Sequence, residues 1–86
     1  MASYRVEWKR SAAKELKNLP QPVILRILDS VGGLAENPYP HGSRKLAGSG
    51  HSYRIRVGDY RVLYTIEDDI LLVQIIRVGH RRDVYR

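Results

Sequence analysis

The chain has 86 residues, of which 43% are hydrophobic and none is cysteine, and 15 Lys and Arg against 9 Asp and Glu give a net charge of +6. This composition excludes a disordered chain, disulfide bonds and thiolate metal sites, and it predicts a single small domain over residues 1–86. The excess of positive charge favours an anionic partner, such as nucleic acid, an acidic protein or an anionic membrane surface.

Three features of the chain bear on its location. The N-terminal segment MASYRVEWKR is charged almost from its start and lacks the apolar core of a signal peptide. The longest apolar run, ILLVQII (70–76), is far shorter than the roughly 20 residues that span a bilayer. Neither predicted helix combines a basic face with large aromatic residues, which disfavours membrane binding. We therefore predict a cytoplasmic protein.

The first predicted elements are a strand and a helix. Tyr4, Val6 and Trp8 alternate with charged residues, which is the period-two pattern of a half-buried strand. Ser11 is then predicted to cap a helix over SAAKELKNLP (11–20), whose alanines and leucines recur at helical spacing and whose last residue is a proline.

A second amphipathic helix follows at once. Pro22 suits its first turn. Its apolar residues, at spacings of one, three and four, are Val23, Ile24, Ile27, Leu28, Val31 and Leu34. Gly32 and Gly33 cost about 1 kcal/mol each relative to alanine, so the helix either frays there or continues to about Glu36. The segment NPYPHGSRKLAGSGH (37–51) is predicted to be a loop because it is rich in Pro and Gly.

The second half of the chain is predicted to be a sheet. SYRIRV (52–57), YRVLYTI (60–66) and ILLVQIIRV (70–78) are separated by the turn sequences GD and EDD, which indicates an antiparallel meander. With the early strand and the two helices, the predicted fold class is α+β: an N-terminal strand and a two-helix hairpin packed on a small antiparallel sheet.

Strand alternation groups the cationic side chains. If the apolar faces of the strands meet the helices, Arg54, Arg56 and Arg61 converge on the opposite, open face. Arginines on a solvated sheet face are ordinary, and that alternative stays open for any one of them. Three together, without interleaved acids, repel one another, so the cluster favours a bound anion.

The strand ILLVQIIRV is apolar on both faces except at Gln74 and Arg77, which predicts an interior strand. It leads into GHRRDVYR (79–86), where Arg81, Arg82 and Tyr85 either join the cluster or form a frayed end.

The histidines do not indicate a metal site. His41 is predicted to be exposed in its loop, and the spacing of the histidines, without flanking acids or cysteines, is unsuited to metal binding. We predict no metal and no cofactor.

The order of these segments resembles the RelE/ParE toxin superfamily over essentially the whole chain. RKLAG (44–48), YRIRVGDYRVLYTI (53–66) and VGHRRDVY (78–85) carry the resemblance, which is closest to the RelE branch of ribosome-dependent mRNA interferases. It implies a RelE-like fold, cleavage of mRNA in the ribosomal A site by attack of the 2′-OH on the adjacent phosphate, and an acidic antitoxin as partner.

The resemblance also implies roles for individual residues. The catalytic candidates are Arg61, Arg81, Tyr85 and Arg56. The candidates for RNA or ribosome binding are Arg54, Arg44, Lys45, His80 and Arg82. Our hypothesis is that Arg61 and Arg81 stabilise the pentacoordinate phosphate, and that Tyr85 stacks on a base or orients the nucleophile. An in-line attack of this kind needs no metal and leaves a 2′,3′-cyclic phosphate.

This sequence departs from the family pattern on one strand. Arg54 and Arg56 stand where the best-known members carry Lys, and an arginine stays protonated, so neither is an ordinary general base. Both can bind phosphate through two parallel hydrogen bonds. The proton acceptor is left open among a neutral His80, a Tyr85 phenolate and water.

The remaining residues of the C-terminal segment have lesser predicted roles. Arg82 and Arg86 would supply general attraction for phosphates or plain solvated charge, and Asp83 would temper its neighbours. Val84 is expected to pin the segment by packing, which would keep Tyr85 from fraying.

Two other functions fit the same sequence. One is inhibition of DNA gyrase by a ParE-like toxin, with the same fold and no nuclease chemistry. The other is nucleic-acid binding without catalysis, for which the logarithm of the affinity falls by about 0.7 per neutralised phosphate for each tenfold rise in salt on single strands.

Overall fold

The computed structural model describes residues 3–48 and 50–85. Within these residues it has five strands and two helices, in the order β1 (Arg5–Trp8), α1 (Arg10–Lys17), α2 (Gln21–Gly33), β2 (Arg44–Lys45), β3 (Ser52–Val57), β4 (Tyr60–Glu67) and β5 (Leu72–His80). The strands form one sheet in the order β1-β5-β4-β3-β2. The α+β fold class is thus confirmed. No helix in the described part of the chain is long and apolar enough to span a membrane.

The sheet is mixed rather than wholly antiparallel. The β2–β3, β3–β4 and β4–β5 pairs are antiparallel, as the meander predicted, whereas β1 runs parallel to β5, with Arg5 beside Leu72 and Trp8 beside Ile75. The reason is the path of the chain. After β1 the chain forms both helices and enters the sheet again at the opposite edge, as β2. Strands β3, β4 and β5 then follow one another across the sheet, and β5 lies beside β1 and runs in the same direction.

The core lies between the helices and one face of the sheet. Ala12 and Leu16 of α1 and Ile27 and Val31 of α2 are buried there. The sheet contributes Ile55, Val57, Val62, Tyr64, Ile66, Val73, Ile75 and Val78. Tyr64 is the largest of the fully buried side chains, and its hydroxyl donates a hydrogen bond to the carbonyl of Pro38 at 2.9 Å. This bond ties the Pro-rich loop to the sheet and satisfies a buried polar group.

The predicted start and end of the first helix were wrong. Lys9 still donates its N–H to Ile75 of β5, and its carbonyl accepts from Ala13, so the helix begins directly where the chain leaves the sheet. Ser11 therefore lies inside α1, and the capping residue is Lys9, which makes no side-chain cap bond. The helix ends at Lys17 rather than at the proline, which instead precedes α2.

The second helix agrees with its pattern. Pro22 lies in its first turn, and the helix ends at Gly33. The residues up to Asn37 continue only as turns, through N–H bonds of Ala35, Glu36 and Asn37 to the carbonyls of the two glycines.

Glu15 of α1 covers a part of β5 that β1 does not reach. Pairing with β1 stops at Ile75, and the N–H of Val78 donates to Glu15 Oε1 at 3.0 Å. Arg77 Nη2 lies 3.3 Å from Glu15 Oε2. A charged acceptor on an otherwise open strand edge stabilises it and blocks pairing with another chain.

The short strand β2 lies inside the segment that was predicted to be a loop. Arg44 pairs with Arg54, Lys45 pairs with Tyr53, and the N–H of Leu46 donates to the carbonyl of Ser52 at 2.8 Å. Two consecutive basic residues have no apolar alternation, so the pairing depends on the edge that β3 presents and not on local sequence.

A tyrosine–aspartate contact joins three distant segments. The hydroxyls of Tyr4 and Tyr39 each donate to the carboxylate of Asp68 at 2.6 Å. The hydrogen bonds from Tyr39 and then Tyr4 hold the pKa of Asp68 below its ordinary value. The same contact, together with partial burial, raises the pKa of both tyrosines. It fastens the N-terminal strand and the Pro-rich loop to the β4–β5 turn.

This contact predicts a pH window for stability. The lowered pKa of Asp68 gives a contribution that is complete above its unfolded value of 3.8 and is lost as the pH falls through the folded value. The raised pKa of the tyrosines gives a contribution that is complete below 10.0 and is lost as the pH rises through the folded values. The free energy of unfolding that Asp68→Ala removes should therefore be largest between about pH 5 and 9. Urea unfolding across pH measures it, with Asp69→Ala as the matched control, and identical pH profiles for the two variants would contradict the assignment.

Candidate active site

The strand register gathers four arginines on one face of the sheet. Arg56 lies directly opposite Arg61 in the β3–β4 pair, and Arg44 lies directly opposite Arg54 in the β2–β3 pair. Directly opposite residues point to the same side, and the alternate residues of β3 and β4 enter the core on the other side. We call these four residues the arginine face. The predicted convergence of the three sheet arginines agrees with this register.

The arginine face is electrostatically unfavourable without a ligand. Like charges in directly opposite positions destabilise a sheet. The cost is of the same order as the stabilisation of about 0.2–1 kcal/mol that a favourable cross-strand pair contributes. None of the ion pairs found in residues 3–48 and 50–85 involves the four arginines. Nη1 of Arg54 is buried and has no hydrogen-bond partner. A bound anion would relieve the repulsion and supply that partner.

Arg61 is held by its own hairpin. Its Nη1 donates to the carbonyls of Gly58 at 3.0 Å and Tyr60 at 2.9 Å. Partial burial, followed by the charges of Arg56 and Arg54, lowers the pKa of Arg61, although a guanidinium stays protonated at neutral pH. The side chain is therefore a fixed cation whose remaining donors are available to a ligand.

The two-residue turn Gly58–Asp59 organises the site. Gly58 has φ of +61°, a left-handed conformation that favours glycine, and a Cβ there would lie 3.1 Å from Nη2 of Arg26. The carbonyl of Asp59 accepts the N–H of Arg81 at 2.8 Å, and Asp59 Oδ1 lies 3.9 Å from Arg81 Nε. Since Arg61 also bonds to this turn, one short segment positions both arginines.

The residues after β5 form a turn that is docked on the sheet. The N–H groups of Asp83 and Val84 donate to the carbonyl of His80 at 2.8 and 3.0 Å. Val84 is only 1% exposed and packs against Gly79, whereas Tyr85 is 55% exposed. We call residues 80–85 the C-terminal turn. Its burial at Val84 agrees with the expected packing role and excludes a frayed end before Tyr85.

His80 has a defined orientation in this turn. Its Nδ1 accepts the N–H of Arg82 at 3.2 Å, and its ring lies edge-on to Tyr60 with 5.5 Å between the ring centroids. When the ring is neutral, this contact leaves Nδ1 unprotonated and the proton on Nε2. His80 thus presents a donor, not an acceptor, at its other nitrogen.

The predicted site residues do not all meet. Arg61 interacts electrostatically with Arg56, Arg54, Tyr85 and Arg81, so these five form the centre of the site. The others lie as follows: Arg44 on the arginine face, His80 and the exposed Arg82 in the C-terminal turn, and Lys45 beside Tyr53 on the opposite side of the sheet. Arg86 lies outside the described residues.

Two further observations concern ligands and anchors. Among the described residues, no group of three or more His, Asp or Glu side chains is placed to hold a metal ion. The anchoring role of Asp59 was missed, because GD is visible in the sequence as a turn but its contact with Arg81 is tertiary.

Comparisons with known proteins agree with this architecture. The family model for the ParE toxin of type II toxin–antitoxin systems matches residues 6–85. Toxin RelG of Mycobacterium tuberculosis is 36% identical over 87 residues, covering 96% of this chain and 97% of the relative. In the archaeal RelE–RelB complex from Pyrococcus horikoshii, one chain superposes with a TM-score of 0.83 at 31% identity, covering 95% of this chain and 99% of that one. A chain of the intact Escherichia coli RelBE complex gives 0.79 at 26% identity, with 92% and 96% covered. This chain belongs to the RelE/ParE superfamily of type II toxin–antitoxin toxins.

Proposed function

We propose that this protein is a metal-independent endoribonuclease that cleaves mRNA in the ribosomal A site. The observation that carries the proposal is the joint anchoring of Arg61 and Arg81 on the Gly58–Asp59 turn, beside an arginine face without acidic partners among the described residues. The names of the curated relatives, RelG and RelE toxins, support the same branch of the superfamily. A target on translating ribosomes would require a cytoplasmic protein.

The proposed chemistry is an in-line displacement at phosphorus. The 2′-oxygen of one nucleotide forms a bond to the adjacent phosphorus while the bond to the 5′-oxygen breaks, giving a 2′,3′-cyclic phosphate and a 5′-hydroxyl. Arg61 and Arg81 stabilise the charge that builds on the phosphate oxygens. Because the Arg61 guanidinium and the Arg81 backbone are already held in place, little reorganisation is needed during the reaction.

Two protons must move in this reaction. Arg54 and Arg56 stay protonated and act as binding groups. His80, in the tautomer that its Nδ1 contact favours, donates an Nε2 hydrogen bond to the leaving 5′-oxygen, which takes its proton from water. Tyr85 is exposed, and its hydroxyl makes no hydrogen bond within the described residues, so it is the side chain left to orient the 2′-OH, whose proton passes to water.

We further propose that an acidic antitoxin neutralises this protein. Solved relatives from three organisms are complexes of RelE with RelB. The net charge of +6 and the repelling arginine pairs favour an acidic segment that folds on contact. A pull-down from the native host should recover a small acidic protein, and its absence would contradict the proposal.

Inhibition of DNA gyrase is the second candidate. The specific observation in its favour is the family model itself, which is described as a ParE toxin and matches nearly the whole chain. That function would use the same fold with a protein target and would need no nuclease chemistry.

One experiment separates the candidates. The chain is expressed from a tightly repressed promoter, and 5′ ends of a translated mRNA are mapped by primer extension. Cuts in phase with codons, with 2′,3′-cyclic phosphate at the upstream ends, are expected. DNA damage with intact mRNA would favour the gyrase inhibitor, and neither effect would leave a nucleic-acid binder without catalysis. Cleavage in vitro that EDTA abolishes while ribosomes stay intact would contradict the metal-independent mechanism.

A further inference from the structure

Two adjoining cavities lie at the outer edge of β3, beyond Arg54, where its pairing with β2 stops. One, of about 200 Å³, is lined by His41, Gly42, Arg44, Ile55 and Arg56. The other, of about 220 Å³, shares three of these residues and extends to Ser30 of α2. We call the two together the edge cleft. Each is several times the volume of about 30 Å³ that a water molecule takes up in the liquid, so a phosphate group fits.

The edge cleft is cationic. Arg44 and Arg56 line it with His41, and none of its described lining residues carries a carboxylate. Neither arginine takes part in an ion pair within the described ranges. Guanidinium groups bind phosphate oxygens through paired hydrogen bonds, so this lining suits a phosphate better than a neutral ligand.

The backbone adds a donor to the same cleft. The carbonyl of Ser52 accepts from Leu46, so the peptide groups of Ser52 face β2. Since successive residues of a strand alternate, those of Arg54 and Arg56 face the same way. Pairing with β2 stops at Arg54, and the N–H of Arg56 is therefore left at the open edge, facing the cleft.

The edge cleft is continuous with the candidate active site. Arg56 lines the cleft and lies directly opposite Arg61 in the β3–β4 pair. An RNA strand whose reacting phosphate lies at Arg61 would pass Arg56 before it reaches the cleft. On such a path the substrate would pass His41, which was predicted only as an exposed loop residue.

We propose that the edge cleft binds a second phosphate of the RNA strand, adjoining the one held by Arg61 and Arg81. The proposal rests on the nuclease function above. Arg44 and Arg56 contact the phosphate oxygens, the Arg56 N–H donates to them, and His41 closes the cleft from the loop. This subsite fixes the register of the strand and contributes to binding rather than to the chemical step.

Binding of an RNA that cannot be cleaved tests the subsite apart from catalysis. The probe is a fluorescently labelled 2′-O-methyl RNA hexanucleotide, and its affinity is measured by anisotropy as a function of salt. Arg44→Gln is expected to weaken binding roughly tenfold and to reduce the salt slope by about 0.7, the value of one phosphate. His41→Ala is expected to weaken binding at least about threefold. Lys17→Gln, an exposed residue at the end of α1, removes the same charge as Arg44→Gln and should leave the slope unchanged.

A second measurement does not depend on variants. In the unmodified protein, the NMR signals of the Arg56 amide and the His41 ring should shift as the hexanucleotide is added. Unchanged signals, or an unchanged slope for Arg44→Gln, would overturn the subsite even if cells show codon-phased cleavage. A reduced slope in a chain that cuts no mRNA would overturn the nuclease function and leave the subsite standing. If Arg44→Gln weakens binding of a hexaglutamate peptide but not of RNA, the cleft belongs to an acidic protein and the proposal fails.

Discussion

Replacing Arg61 or Arg81 with alanine is expected to slow cleavage of ribosome-bound mRNA by about a hundredfold, which corresponds to about 3 kcal/mol of transition-state stabilisation. Before any substrate arrives, the Arg61 guanidinium is hydrogen-bonded to the carbonyl of Gly58, and the backbone N–H of Arg81 is hydrogen-bonded to the carbonyl of Asp59. Arg61 would therefore stabilise developing charge with little cost in ordering, and Arg81 would do so from a fixed backbone position. The loss should appear in the rate at saturating ribosomes more than in the affinity, because the remaining arginines still attract RNA.

Single-turnover cleavage of mRNA on purified ribosomes measures this effect. Arg10→Ala is the matched control, because it removes the same charge from an exposed position in α1. Arg81→Lys separates the effect of charge from that of shape. The lysine ammonium keeps the positive charge but lacks the planar, forked donors of a guanidinium, so most of the loss of cleavage rate should persist. Near wild-type rates for both alanine variants would show that the two arginines do not act on the phosphate.

Replacing Val84 with aspartate is expected to slow mRNA cleavage at least as much as the loss of Arg61 or Arg81, while the rest of the fold stays intact. Val84 is buried where the C-terminal turn packs on Gly79, and an unpaired carboxylate there costs several kcal/mol. The turn can avoid this cost by detaching from the sheet. Detachment removes Tyr85 from the site together with the side chain of Arg81.

The two consequences are measured separately. Cleavage should fall by at least about a hundredfold, whereas thermal unfolding should remain one cooperative transition, and limited proteolysis should cut after β5 in the variant alone. Gln21→Asp changes the net charge equally at an exposed site, the first residue of α2, and should do neither. Full activity of Val84→Asp would mean that the C-terminal turn does not supply the catalytic groups.

The arginine face could be predicted because it depends on local geometry. Period-two alternation requires only that the segments around Arg54 and Arg61 be strands and that their apolar side chains enter the core. The burial of Val84 was also predictable from the residue itself, because removing its apolar side chain from water is favourable. Helix α2 had enough turns to show its pattern.

Other features were beyond the sequence because they arise from contacts between distant segments. Ser11 is a good capping residue, but the start of α1 was decided by the position at which the chain leaves β1 and its pairing with β5. Strand β2 and the contact of Glu15 with β5 both depend on which edge of the sheet stays open. His41 lines the same cavity as Arg56. This could not be predicted, because the loop that contains His41 has no periodic pattern of apolar residues from which its fold could be inferred.

The parallel pairing of β1 with β5 has a consequence for synthesis of the protein. The first strand of the chain finds its neighbour only in the last one, so the sheet depends on contacts of high sequence separation, which form slowly. While β5 is still inside the exit tunnel, β1 has no partner and the C-terminal turn does not yet exist. The sheet and the C-terminal turn can therefore be completed only after β5 has left the tunnel, and the interval before this step gives a binding partner time to contact the new chain.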